Sequence, residues 1–146
     1  MPDDTNLRAK QRERGRMGIR VDWYNKEHTV IYWQFEGRWT WDEFAAAQKI
    51  ASELLQNITY QVDIIGNLQQ SAQLPTNALS AYTRFAMQSA ENTGLIVLVG
   101  SGAFIKTLTQ VFKRIMPGNL PATDFVYADT NEAAYALILA EQKRRA

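Results

Sequence analysis

The sequence predicts an α/β domain built on a mixed, mostly parallel sheet of four or five strands, and three observations predict it. An N-terminal pair of apolar segments reads as a β-hairpin. After it, segments of strand character alternate with segments of helical period, in the order β-β-α-β-α-β-α-β-α with four helices. Leu95 to Val99 is an unbroken aliphatic run, the mark of a strand covered on both faces. Strands that alternate with helices need crossover connections, and crossovers set neighbouring strands parallel.

At 146 residues the chain suits one domain with one core, and no Pro/Gly/Ser-rich linker divides it. The composition, 46% hydrophobic and 21% charged, is that of an ordinary globular protein. A formal charge of +1 predicts no strong pull toward nucleic acid or toward an acidic partner. The absence of cysteine excludes disulfides and thiolate chemistry. No apolar run approaches the ~20 residues that span a bilayer, and the N-terminus lacks the pattern of a secretory signal. The expected location is the cytoplasm.

Residues 1–16 are polar and predominantly basic, and they bury too little to offset their ordering entropy, so a solvated tail is expected ahead of a single domain at 17–146. In the hairpin, Ile19, Val21 and Trp23 alternate with Arg20, Asp22 and Tyr24, Asn25 to His28 makes a polar turn, and Val30 to Phe35 forms the second strand. Gly37 ends it. Thr40 and Glu43 have the spacing of a capping box, and Phe44, Ala47, Ala51 and Leu54, widened by Ile50, follow at helical intervals. The next strand runs from Val62 to Leu68, with Asn67 near its end and a loop from Gln69 to Leu74 beyond. Pro75 and Thr76 open a second helix marked by Ala78, Leu79, Tyr82, Phe85 and Ala86. After Leu95 to Val99, Gly100-Ser101-Gly102 turns into a third helix that Pro117 and Gly118 stop. Phe125 to Ala128 is a last strand, and Asp129 or Thr130 caps a final helix carrying Ala134, Leu137 and Ile138. Its basic end, Lys143, Arg144 and Arg145, suits the helix dipole.

Three stretches resemble the STAS domain, best known from bacterial anti-sigma-factor antagonists, and most closely its SpoIIAA-like (STAS/Sec14-type) relatives. They are Phe35-Glu36-Gly37-Arg38 between strand and helix, Leu95 to Val99 closed by Gly100, and Phe125-Val126-Tyr127 followed by Asn131-Glu132-Ala133-Ala134. The resemblance covers roughly residues 18–142 and rests on element order more than on invariant motifs. It implies helices packed mainly on one face of the sheet. It also implies non-enzymatic work: partner switching, regulation, or small-ligand sensing. Antagonists of that family carry an Asp-Ser-Gly-type turn in which the hydroxyl is phosphorylated. The corresponding stretch here, Asn67-Leu68-Gln69-Gln70-Ser71, lacks the acidic residue and the glycine. Ser71 and Thr76 are the hydroxyls left to accept a phosphate, and Thr76 is already explained as an N-cap.

Chemistry is poorly provided for. His28 is the sole histidine, with no cysteine to join it in a metal site or a nucleophilic pair. No metal, catalytic residue or cofactor is expected. Asp63 lies in a core strand, where a position near the strand's start or an amide partner explains it better than acid catalysis. The candidate anion or ligand site gathers Asn67, Ser71, Gly100, Ser101 and Gly102 at the carboxyl ends of the strands. All four tryptophans fall in the hairpin and first helix, and Val30, Ile31, Tyr32 and Trp33 put bulk on both faces of one strand. Helices on one side cannot cover both. Either the fold wraps this strand, or Val30, Tyr32, Trp33 and Trp39 belong to an interface, with a homodimer as the first candidate. The expected function is a binding or regulatory module acting on a protein partner whose identity is unknown, and the alternative is a Sec14-like carrier of a small ligand or lipid.

Overall fold

Alternating apolar residues make Ile19–Trp23 the first strand, β1, which pairs antiparallel with β2, Val30–Gly37. The computed structural model describes residues 18–72, 92–100 and 126–146. In the turn, the Asn25 carboxamide oxygen accepts the amides of Thr29 at 3.0 Å and Val30 at 3.2 Å, and His28 takes the left-handed conformation that closes it. Gly37, at φ +58°, ends β2 in a conformation that favours glycine.

Thr40 then caps α1, Trp41–Leu54, its hydroxyl accepting the Glu43 amide at 3.2 Å. Glu43 turns its carboxylate onto the amide of Gly18, which ties the helix start back to the sheet edge. Ala47 and Ala51 are buried, whereas Ile50, expected in the stripe, is 38% exposed. The remaining elements are β3 (Val62–Ser71), β4 (Thr93–Val99), β5 (Val126–Ala128) and α2 (Asn131–Arg145). β3 runs three residues past its expected end at Leu68, because Gln70 and Ser71 continue to pair with Glu36 and Gly37. The expected N-terminal tail and the helices expected after Pro75 and after Gly100 lie outside the described residues.

The five strands stand in sequential order, β1-β2-β3-β4-β5, parallel at every pairing after the hairpin. Ile64 faces Ile96 and Ile65 faces Val97 across the two inner strands. Two cores result. On one face, Ile31, Trp33, Phe35, Trp39, Val62, Leu68 and Leu98 pack with Ala47 and Ala51 of α1. On the other, Val30, Ile65, Val97 and Val99 pack with Ala134 and Ile138 of α2.

Where the resemblance implies helices mainly on one face, the two described helices lie on opposite faces. The same finding accounts for the bulk on both faces of β2. Val30 meets the α2 side, while Trp33 and Trp39 lie buried in the α1 core, so three of the four candidate interface residues are covered by the chain itself. Tyr32 alone is half-buried.

Candidate functional site

Helix α2 crosses the sheet from the carboxyl end of β3 to its start, and each end of the helix meets a polar cluster. Thr130 caps the first turn, its hydroxyl accepting the Ala133 amide at 3.0 Å. Beside it, the buried Asn67 donates to the Asn131 side-chain oxygen at 2.8 Å. Asn131 in turn donates to the Tyr32 hydroxyl at 3.2 Å, and Tyr32 donates to Gln34. On the other side, Asn67 accepts the Gln69 amide at 2.8 Å, and the Gln69 side chain donates to the Asp129 carbonyl at 2.9 Å. Phenol and carboxamides thus form a neutral relay across the middle of β2 and the carboxyl-terminal half of β3. Tyr24 stacks obliquely on Tyr32 at 5.6 Å and meets Tyr135 edge-on at 5.1 Å. Burial, and then the nearby Glu132 carboxylate, push the Tyr24 hydroxyl above its ordinary range.

The second cluster is ionic. Asp63 is fully buried, and four donors surround its carboxylate. Oδ1 accepts the Leu95 amide at 2.7 Å and Arg145 Nη1 at 3.0 Å. Oδ2 accepts Arg145 Nη2 at 2.7 Å and Gln142 Nε2 at 2.8 Å. The two-pronged guanidinium geometry is the strong form of such a pair. It fits only because residue 94 is glycine: a Cβ there would lie 2.3 Å from Asp63 Oδ1 and 2.8 Å from Arg145 Nη1. Gly94→Ala is accordingly expected to destabilise the fold by about 1–3 kcal/mol, as overpacking does. An unchanged urea midpoint would mean that the carboxylate does not pack against this glycine.

Of the residues expected at the anion site, Asn67 and Ser71 point to opposite sides of the sheet. Asn67 joins the relay under α2. Ser71 accepts from the Trp39 indole at 2.9 Å, in the opposite core. Four residues apart on a regular strand, the two would share a face. However, Leu68 and Gln69 together oppose Phe35, since Gln34 pairs with Asn67 and Glu36 with Gln70. That bulge inverts the alternation before Ser71. Gly100 is buried just past β4, and Thr76, Ser101 and Gly102 lie outside the described residues.

Two other expectations change as well. Leu137, placed in the buried stripe of α2, is 41% exposed. Arg145, read as complementing the helix dipole, instead partners Asp63. The signal for this was present: Gln142 and Arg145 continue the stripe of Ala134 and Ile138, and polar residues on a buried stripe need a buried partner.

Among the described residues, no group of three His, Cys, Asp or Glu side chains could hold a metal ion. Nor is any helix among them long and apolar enough to cross a membrane. Compared with models of known protein families and with curated proteins, the chain matches none.

Proposed function

We propose that the chain is a non-enzymatic binding or regulatory module of STAS/SpoIIAA-like character, recognising a protein partner through the relay across β2 and β3 beside the start of α2. The observation that carries this reading is the chemistry of the relay. Tyr32, Gln34, Asn67, Gln69 and Asn131 offer hydrogen-bond donors and acceptors without an ionisable carboxylate, imidazole or amine. Such groups select a partner by geometry rather than move protons. Asn67 lies level with Val99, the last residue of β4, and Gln69 reaches Asp129 just past β5, which fits the rule that open α/β sheets bind at the carboxyl ends of parallel strands. The five-stranded mixed sheet behind an N-terminal hairpin agrees with the sheet that the resemblance implies, whereas the two described helices lie on opposite faces.

Affinity capture from the native host tests it, using the chain and a Gln34→Arg/Gln69→Arg variant of matched melting temperature. The expected result is a partner retained by the chain and lost by the variant. Equal recovery on both would remove the relay from consideration.

A second reading, the carrier of a small apolar ligand or lipid, draws on Trp33. Among the described residues its indole Nε1 is the one buried side-chain polar atom without a hydrogen-bond partner. It lies in a nest with Phe35 and Phe44, and a ligand carbonyl would satisfy it. Native mass spectrometry of the protein purified from cells separates the two: an empty mass is expected from the first reading, and a retained ligand from the second.

A further inference from the structure

We propose that α2 is a releasable cover over the centre of the sheet, and that the Asp63–Arg145–Gln142 cluster is the latch that holds it. The inference begins with how little apolar area the helix contributes. Among its residues only Ala134 and Ile138 are buried, while Leu137 and Leu139 stand 41% and 45% exposed. A helix docked by hydrophobic burial would present a broad apolar stripe to the sheet. Here the stripe narrows to Ala134 and Ile138 with the half-buried Tyr135 beside them, and polar contacts take over at both ends.

Both polar contacts grip the same strand. Asn131 meets Asn67 just past the middle of β3 and also Tyr32 of β2, and Arg145 with Gln142 meets Asp63 near the start of β3. The latch is complete, with all four lone-pair directions of Asp63 occupied and Gly94 leaving the room it needs. Such a contact is strong while whole and unfavourable once one partner leaves, because the remaining charge stays buried and unpaired. When the helix lifts away, water solvates both charges. The ionic contact therefore favours only two arrangements, fully closed and fully open.

Beneath the helix lies a strip of branched apolar side chains, Val30, Ile65, Val97 and Val99. The sheet itself does not depend on α2 alone, because α1 and the aromatic cluster pack the opposite face. Only Asp129 and Thr130 join α2 to β5, so the helix can swing as one unit about that link. Opening of this kind is a sub-global event, with a free energy below that of whole-chain unfolding.

The chain has no cysteine, so a single introduced thiol reports on each face. Val97→Cys places one under α2, and Leu98→Cys, the next residue, places one in the α1 core. The expected result is that the thiol at position 97 reacts with a disulfide reagent at least about tenfold faster, and with a weaker urea dependence. In the Val97→Cys background, Arg145→Ala is expected to quicken labelling by about a hundredfold. Arg144→Ala, which removes only the exposed pair with Glu141, should leave it unchanged. Hydrogen exchange on the unaltered chain gives a check independent of the substitutions: α2 amides should open together at a lower free energy than those of β3. Equal labelling rates and urea slopes at positions 97 and 98, α2 amides as protected as those of β3, or equal effects of Arg145→Ala and Arg144→Ala, would each overturn the proposal.

Discussion

Asp63→Ala is expected to lower the unfolding free energy by about 3–5 kcal/mol, a large share of the ~5–15 kcal/mol that holds an ordinary domain together. The size follows from asymmetry. In the folded chain the carboxylate is fully buried, and Arg145 is only 23% exposed beside it. Removing the carboxylate leaves a guanidinium without its counter-charge, the Gln142 side chain and Leu95 amide without an acceptor, and a void against Gly94. Urea denaturation followed by circular dichroism reads the loss directly, as a midpoint lowered by about 2 M for a protein of this size. A fall below about 0.5 M would show that the pair is solvated in solution. The companion experiment replaces the whole cluster. Asp63→Leu combined with Gln142→Leu and Arg145→Met is expected to recover most of the loss, since a well-packed apolar substitute for a buried ion pair is often neutral or better.

The sheet was legible because its strands either alternate or run apolar over lengths too short for a buried helix. The alternation at Ile19, Val21 and Trp23 marks an edge strand packed on one face. The run Leu95 to Val99 is aliphatic throughout because Val97 and Val99 meet the α2 side while Leu98 meets the α1 side. Caps were legible too, since Thr40 and Thr130 each satisfy a first-turn amide from their own short side chain. The sides on which the helices lie were not legible. Hydrophobic pattern tells a helix to bury a stripe, but it does not say against which face, and the weak stripe of α2 carried less signal still.

Site residues were harder to read for a related reason. The bulge opposite Phe35 has no glycine or proline to announce it, yet it decides that Asn67 and Ser71 part company. Asp63 and Arg145 are 82 positions apart, so no local pattern joins them. What could have joined them is chemistry. An aspartate inside an apolar strand requires a partner, and an arginine continuing a buried helical stripe requires one as well.

Trp33 offers the second large effect, and its sign depends on which substitution is made. Trp33→Ala removes a nearly buried indole, 8% exposed, that stacks 6.0 Å from Phe35 and tilts against Phe44 at 5.2 Å. The cavity and lost contacts are expected to cost about 3–5 kcal/mol. Trp33→Phe keeps much of the ring packing and removes a buried N–H that has no acceptor, a group whose desolvation alone costs about 1–3 kcal/mol. The two contributions oppose each other, so the phenylalanine variant is expected to lie within about 1 kcal/mol of the parent. Thermal and urea unfolding of both variants on ligand-stripped protein measure the contrast. If phenylalanine costs as much as alanine, the indole donor is satisfied in solution, and the aromatic nest loses the one polar feature that suggested a ligand. If phenylalanine is nearly neutral while the parent alone gains stability from an added apolar carbonyl compound, the orphaned N–H is the group that such a compound would engage.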